Sequence, residues 1–258
     1  MKTLREIYAY RQMIISLVRR DLRGRYKGSV LGFLWTFINP LLQLCVYTIL
    51  FSTILKSGIE KYYLFLFVAL IPWLFFSNCL TGGAGAILGQ KDMVKKIYFP
   101  REVIPIAYVT SSFVNMLLCF VVIFGVILFS GNGLSGEALL YLPLVMAVEY
   151  VMALGIALLT SAITVYFRDM EHILGIAGLA WMYLTPIMYG PDAVPPEFLR
   201  LFEMNPMMPV IMAYRDILYY KQPPQIDTLL RAFGLGLLVL LAGWLVFEAL
   251  KKHFVEEL

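Results

Sequence analysis

Long, uninterrupted apolar blocks are the feature of this sequence that most restricts its fold. Of the 258 residues, 60% are hydrophobic and only 15% are charged, against roughly 45–50% and about 25% in an average soluble domain. A helix crosses a bilayer core of about 30 Å with about 20 consecutive apolar residues. Six blocks approach or exceed that length, at residues 31–55, 62–88, 103–129, 139–165, 173–189 and 229–250. We therefore predict an all-α integral membrane protein with six transmembrane helices.

Lysine and arginine are distributed unevenly between the two sides of these blocks. Fifteen of the 21 lie in the N-terminal segment, the second and fourth connections and the C-terminal tail, and five lie on the other side. Because positive charge is retained in the cytoplasm, both termini are predicted to be cytoplasmic. The expected organisation is a cytoplasmic segment at 1–30, a transmembrane domain at 31–250 and a cytoplasmic tail at 251–258. No cleavable signal peptide is expected, because the basic N-terminal segment has no sufficiently long apolar run.

Two further segments have patterns of their own. Between residues 4 and 22, apolar residues recur near helical spacing with basic residues between them, which predicts an amphipathic helix in the membrane surface. The external connection at 190–228 contains seven of the thirteen prolines mixed with apolar residues. Irregular backbone at membrane depth has to be sheltered by protein or water. We therefore expect short re-entrant helices there rather than an ordinary external loop.

No pattern for nucleotide binding or catalysis is present. The glycine-rich run that ends at Lys91 has the wrong spacing for a phosphate-binding loop. Gly85 and Gly89 of this run are interpreted instead as small residues that permit close helix contact. Gly24, Gly28 and Gly32 repeat the same four-residue spacing. The histidines and cysteines lack the spacing of metal ligands. No catalytic residue, metal site or cofactor is predicted on this chain, and nothing in it suggests nucleic-acid binding.

Glu149 is the one acidic residue near the middle of a predicted span. An intramembrane carboxylate suggests a functional site, but a proton relay requires a chain of such groups. A structural hydrogen bond or an interfacial position is the favoured interpretation. Aromatic residues in or near the spans are typical of interfacial belts, although they can also stack on sugars along a translocation path. The candidates for the path are Trp35, Trp73, Phe76, Trp181 and Tyr189, with Trp73 and Trp181 favoured.

Several short motifs, taken in order along the chain, resemble a known family. They are Arg20–Gly32 with Trp35 and Asn39-Pro40, Ile71–Asn78, Lys95–Pro105, Tyr166–Asp169, Leu184–Tyr189, Asn205–Met207 and Tyr214–Asp216. This set resembles the type-2 ABC transporter permeases that export polysaccharides such as O-antigen, teichoic acid and capsule. The third span and the loop at 130–136 carry no motif of this set.

The resemblance implies the type-2 ABC exporter fold and a half-transporter. Two copies would form a canal, and each would bind a separate cytoplasmic ATPase that holds ATP and Mg²⁺. The plasma membrane of a bacterium or archaeon is the implied location. By resemblance, the residues that contact the ATPase are Val94, Lys95, Lys96, Tyr98, Phe99, Pro100, Arg101, Arg168 and Asp169. The family's external re-entrant segment would include Asn205, Pro206, Arg215 and Asp216.

The expected cargo is a lipid-linked polymer whose diphosphate head enters at the cytoplasmic face. Arg20, Arg23, Arg25 and Lys27 are candidates to contact that head, since arginine forks suit phosphate oxygens. The alternative is that these residues only hold the segment in the cytoplasm and attract anionic lipid. A permease for a drug or small lipid is the nearest alternative function. An enzyme acting on polyprenyl phosphates would need a cytoplasmic acid cluster, which this sequence lacks. An ion-coupled transporter would need paired intramembrane charges, which are also absent from the sequence.

Overall fold

The structure is a computed structural model that describes residues 2–258 apart from positions 26, 27, 55, 57, 199, 201 and 203. All regular structure in the described residues is helical. The α-helices are α1 (Lys2–Ala9), α2 (Arg11–Gly24), α3 (Trp35–Thr48), α4 (Tyr62–Ala84), α5 (Lys91–Lys96), α6 (Val103–Phe129), α7 (Gly136–Leu139), α8 (Leu142–Tyr166), α9 (Met170–Tyr183), α10 (Met207–Arg215), α11 (Ile226–Leu250) and α12 (Phe254–Glu257). The 3₁₀ turn Gly32–Leu34 precedes α3, and the π turn Ile49–Ile54 extends it.

Five helical segments in the described part of the chain are long and apolar enough to cross a membrane. They are Gly32–Ile54, Tyr62–Ala84, Val103–Phe129, Gly136–Tyr166 and Ile226–Glu257. The predicted all-helical membrane fold is thereby confirmed. The block predicted at 173–189 corresponds to α9, which has 14 residues and ends at Tyr183, three residues before Pro186, which disfavours helix in the residue before it. The count of six spans stays a prediction.

Helix α4 forms the centre of the bundle. Most of its residues are buried, and α6, α8, α9 and α10 pack around it. By contrast, most apolar residues of α3 and α11 are exposed or only partly buried. The central position of α4 agrees with its composition, because a helix that is apolar on all sides is a buried one. The exposed helices have apolar surface available for lipid or for other protein.

Small residues allow the closest helix contact, which joins α8 to α11. A Cβ on Gly155 would lie 2.5 Å from the backbone nitrogen of Leu240, and one on Gly243 would meet the backbone of Gly155. The predicted role of the glycine spacing at the N-terminus is wrong. A Cβ on Gly24, Gly28 or Gly32 would meet no atom of the described residues within 4 Å, and the last two have positive φ angles of 86° and 49°. Gly28 and Gly32 therefore shape the turn between α2 and α3.

The amphipathic N-terminal helix is present as α1 and α2. Leu17 and Val18 of α2 are buried in a cluster with Val94, Phe99 and other apolar residues. Beyond the end of α2, the side chain of Arg25 reaches hydroxyls in α6. Helix α2 therefore packs along the first third of α6, which adds protein contacts to the surface position that the sequence predicts.

The proline-rich connection folds into short helices. The 3₁₀ turns Pro191–Ala193 and Pro196–Phe198 precede α10, and the π turn Asp216–Tyr220 follows it. Val210 and Ile211 in α10 are fully buried, since α10 packs on α4, α8 and α11. The predicted short helices are confirmed, and the depth at which they enter a membrane stays a prediction.

Candidate functional site

The predicted ATPase-contacting residues gather at one end of the bundle, which we call the basic end. It consists of residues 91–102, the α8–α9 connection at 166–169 and the C-terminal residues 250–257. Within residues 91–102, Val94 and Phe99 are buried while Ile97 and Tyr98 are exposed. The backbone of Ile97 is extended (φ −126°, ψ 135°), and α5 therefore ends at Lys96. Two apolar anchors thus hold a segment whose tip is available to a partner.

A charged cluster fixes the start of α6 to residues 250–254, which include the 3₁₀ turn Lys251–His253 and which we call the C-terminal turn. Lys251 Nζ lies 2.5 Å from Glu102 Oε1 and 2.7 Å from Glu248 Oε1. The Glu102 carboxylate is almost fully buried, and its second oxygen has no partner among the described residues. Arg101 Nη1 donates to the carbonyl of Lys251. The C-terminal turn therefore holds the position of the segment that carries Tyr98.

The second predicted contact is attached to the same turn. Tyr166 OH donates to the carbonyl of Leu250 at 2.9 Å, and its ring lies 6.3 Å from that of the buried Phe254. The next residue, Phe167, ends α8 with a non-helical backbone (φ −126°, ψ 88°) and is 67% exposed. Arg168 and Asp169 are also exposed. The C-terminal turn consequently connects the two segments that the sequence assigns to ATPase contact.

The arginines predicted to contact a phosphate head have different surroundings. Arg25 bonds with Asp21 at 3.1 Å and donates to the hydroxyls of Ser111 and Ser112 at 3.2 and 3.0 Å. Its charge is therefore offset, and its role in the structure is to attach the end of α2 to α6. Arg20 and Arg23 remain exposed.

Two open cavities border these exposed arginines, and three glycines contribute to the lining of one of them. That cavity, of about 290 Å³, lies between Arg20 and glycines at the end of α4. The other is a wider concavity lined by Ser16, Arg19, Arg20, Arg23 and Gly24. Lys27, the fourth predicted head-group residue, lies outside the described residues. Of the predicted set, Arg20 and Arg23 have the geometry to meet an anionic group.

The aromatic residues predicted to line a path are mostly enclosed by the chain itself. Trp73 and Phe76 are buried, with ring centroids 5.8 Å apart, and Phe76 packs edge-on against Trp181 at 5.1 Å. Tyr189 OH donates to the carbonyl of Tyr183. In this conformation these residues support helix packing. Trp35 differs, because it borders an open polar cavity between α3, α4 and α6.

At the opposite end, Asn205 fixes the segment that follows α9. Its Oδ1 accepts hydrogen bonds from Trp181 Nε1 at 2.8 Å and from the backbone N–H of Met207 at 3.0 Å. Its Nδ2 donates to the carbonyl of Leu184 and the hydroxyl of Thr185. Both lone pairs of the oxygen and both N–H donors of this carboxamide are therefore used. Asn205 is therefore a structural residue that joins α9 to α10.

Arg215 completes the same attachment from the other end of α10. The side chain is fully buried, and it donates to the carbonyls of Pro186 and Ile187 at 2.5 and 2.6 Å. Its guanidinium also lies 3.6 Å above the ring of Phe65. Burial lowers the pKa of Arg215 to about 9, so the side chain remains protonated at neutral pH. Asp216 follows it and accepts from Gln222 at 2.9 Å.

Glu149 has the structural hydrogen bond that the sequence analysis favours. The carboxylate is fully buried in α8, and its Oε2 accepts from Tyr214 OH at 2.6 Å. Its Oε1 has no partner among the described residues. The bond joins α8 to α10, and none of the described acidic residues lies close enough to extend it into a relay.

Sequence reasoning missed the role of the C-terminal turn and of the polar cavity beside Trp35. The sequence contains little indication of the C-terminal turn, because its ion-paired residues Glu102 and Lys251 are 149 residues apart. The polar cavity is lined by isolated polar residues from three helices. None of these residues forms a recognisable pattern within its own helix. Neither site follows from local spacing.

The fold and the basic end define a class of protein: a multi-pass helical membrane protein with two joined, exposed segments at one end of its bundle. The chain matches the model of the ABC-2 type transporter family over residues 12–219. It is 33% identical to the O-antigen export system permease protein RfbA of Myxococcus xanthus, over 100% of this chain and 99% of that protein. The RfbA protein of Klebsiella pneumoniae is 28% identical over 95% of this chain and 94% of its own length.

A more distant relative is the polysialic acid transport protein KpsM of Escherichia coli. It is 22% identical to this chain and is aligned over 78% of this chain and 79% of its own. Because the family model covers most of the chain and a relative aligns over its whole length, the chain belongs to the ABC-2 type transporter family.

Proposed function

We propose that this chain is the membrane subunit of an ATP-driven exporter that moves a lipid-linked polysaccharide across the plasma membrane. The observation that carries the proposal is the basic end, where two exposed segments are joined by one C-terminal turn. Relatives that are named for O-antigen and polysialic acid transport support the choice of cargo. Two copies of the chain form the canal, and each binds one cytoplasmic ATPase, which holds ATP and Mg²⁺.

The proposed orientation places the basic end in the cytoplasm. Residues 1–30 and 251–258 are then cytoplasmic, residues 31–250 form the transmembrane domain with six spans, and α10 belongs to an external re-entrant segment. The excess of lysine and arginine at this end supports the orientation. It also places the exposed residues Tyr98 and Phe167 where a cytoplasmic ATPase can reach them.

The proposed mechanism transmits ATPase movement through rigid contacts. ATP binding draws the two ATPases together and displaces the tip at Tyr98. The Lys251 ion pairs and the Tyr166 hydrogen bond connect that tip to α6, α8 and α11, so these helices move with it. The diphosphate of the cargo enters near Arg20 and Arg23, whose exposed guanidinium groups suit phosphate oxygens.

Substitution of Tyr98 tests the docking surface. Tyr98→Ala removes a side chain that is 95% exposed but keeps the backbone carbonyl that accepts from Tyr10. Folding should therefore be unaffected, while co-purification of the ATPase from native membranes should fall. Tyr8→Ala is the matched control, because Tyr8 is an exposed tyrosine outside the two segments.

Two outcomes contradict the proposal. One is equal recovery of the ATPase with Tyr98→Ala and Tyr8→Ala at unchanged hydrolysis. The other is a chain that purifies without any ATPase and moves a lipid without added ATPase. A permease for a drug or small lipid is the second candidate, and it is favoured if the ATPase binds but is stimulated by such a compound and not by the glycolipid.

A further inference from the structure

A polar cleft lies between α3, α4 and α6. It encloses about 270 Å³. Four uncharged carboxamides from the three helices line it, namely Asn39, Gln43, Asn78 and Asn115. Trp35 and Arg25 border it as well. The cleft is thus much more polar than the apolar helices that form it.

The carboxamides lie well inside the helices. Asn78 is six residues from the end of α4 at Ala84, and Asn115 is twelve residues from the start of α6 at Val103. At 1.5 Å per residue these positions are about 9 and about 18 Å from the helix ends. Asn39, Gln43 and Asn78 are nevertheless exposed on the surface of the chain. Hydrocarbon cannot satisfy such groups, at a cost of several kcal/mol each, so this face meets water, a polar ligand or another copy.

Within the described part of the chain, the carboxamides of the cleft take part in no hydrogen bond. Among the described residues, the bonds here are those of Arg25 to Ser111 and Ser112, Trp35 to Ser29, and Cys119 to the carbonyl of Thr36. The hydroxyl of Thr36 is a second, independent indication. Thr36 is 2% exposed and lines the cleft, and its Oγ1 has no partner in the described part of the chain. Buried polar groups are normally paired.

The chemistry of the lining selects among possible ligands. Each carboxamide offers two donors and one acceptor oxygen without charge. Arg25 is paired with Asp21, so the cleft carries no net positive charge for a phosphate. Hydroxyl and acetamido groups match such a lining, and the indole of Trp35 provides an apolar face for a sugar ring. The volume is below the roughly 300–1,000 Å³ of sites for drug-sized ligands, which suits a single sugar unit.

We propose that this carboxamide cleft binds one uncharged sugar unit of the polysaccharide during export. The inference rests on the proposed function and adds to it a cargo-binding site distinct from the arginines at the entry. The cleft then recognises the glycan, while Arg20 and Arg23 recognise the anionic lipid head.

The test uses the double variant Asn78→Leu/Asn115→Leu in the full complex with its ATPase, in proteoliposomes. The probe is the oligosaccharide released by mild acid from the surface polysaccharide of the native cells. Leucine has a similar volume and is compatible with lipid, so folding should be retained. The concentration of oligosaccharide that half-maximally stimulates ATP hydrolysis should rise about tenfold, from the loss of two neutral hydrogen bonds. Gln12→Leu is the control, since Gln12 is an exposed carboxamide outside the cleft.

The outcomes separate this inference from the proposed function. One outcome is that the oligosaccharide stimulates the wild-type complex and the double variant at the same half-maximal concentration. That result would refute sugar binding in the cleft and leave the proposed exporter function unchanged. Sugar binding in the cleft would also be refuted if the double variant no longer formed a complex of two copies of the chain, because the face would then be a contact between copies. A wild-type complex that neither hydrolyses ATP nor responds to glycan refutes the exporter itself.

Discussion

Replacement of Lys251 by methionine tests the C-terminal turn as the connection between the docking segments. The lysine is the only ion-pair partner of Glu102 among the described residues, at 2.5 Å, and that carboxylate is 1% exposed. Methionine keeps the length and apolar stem of the side chain and removes the charge. The variant therefore leaves a buried carboxylate without a partner and leaves the packing nearly unchanged.

The expected magnitude follows from the burial of the two partners. Removal of one member of a buried ion pair costs about 3–5 kcal/mol. The Lys251 side chain is 23% exposed, so water screens part of the interaction, and we expect a loss of about 2 kcal/mol. This is a large fraction of a typical folding free energy of about 5–15 kcal/mol, but the variant should still fold. Adding Glu102→Gln should recover most of the loss, because no buried charge is then left unpaired.

The assay compares thermal unfolding in detergent with ATP hydrolysis by the complex. Lys251→Met should lower the unfolding temperature and reduce transport per ATP hydrolysed, while Lys252→Met should change neither. Lys252 is the matched control because it is the adjacent lysine and is exposed. Equal unfolding temperatures and equal coupling for the two variants would refute the assignment of the C-terminal turn as a mechanical connection.

Three further substitutions test other parts of the account. Gly155→Val should destabilise the protein by about 3 kcal/mol through a clash with the backbone of α11, whereas Gly234→Val, which adds a side chain in open space, should be tolerated in the same unfolding assay. Arg215→Met should lower the free energy of unfolding by about 3 kcal/mol, since it leaves buried carbonyls without donors. Arg231→Met should leave it unchanged, and equal unfolding temperatures for the two variants would contradict the structural role of Arg215. Glu149→Gln should retain export and lose less than about 1 kcal/mol, because an amide oxygen also accepts the tyrosine hydroxyl; an export defect in a stable protein would revive the proton-relay interpretation.

Apolar length predicted the long helices well because hydrogen bonding in lipid leaves few alternatives to a helix. The third block was predicted at 103–129, and α6 spans Val103–Phe129. The block at 173–189 was less well described, since hydropathy does not register that the helix ends at Tyr183, shortly before Pro186. The same residue supplies a carbonyl to Arg215, so the helix break is part of the attachment of α10.

The candidate site was predictable where its residues are close in sequence. Residues 94–101 form one segment, and the family resemblance of the motif Lys95–Pro105 led to its prediction as an ATPase contact. The partner of Glu102 lies 149 residues away, and Asn39, Asn78 and Asn115 come from three helices. A single carboxamide in an apolar helix gives no signal of where it will point. Only the packing of α3, α4 and α6 brings these residues to one face.

The most direct test of the central claim is ATP-driven movement of a glycolipid in proteoliposomes that contain this chain and its ATPase. The glycolipid would be extracted from native membranes, and its arrival on the far side would be detected by a lectin or antibody added there. The account predicts movement that requires ATP, Mg²⁺ and both proteins, and that falls with Tyr98→Ala but not with Tyr8→Ala. Movement that persists without the ATPase, or a complete complex that hydrolyses ATP without moving the glycolipid, would contradict it.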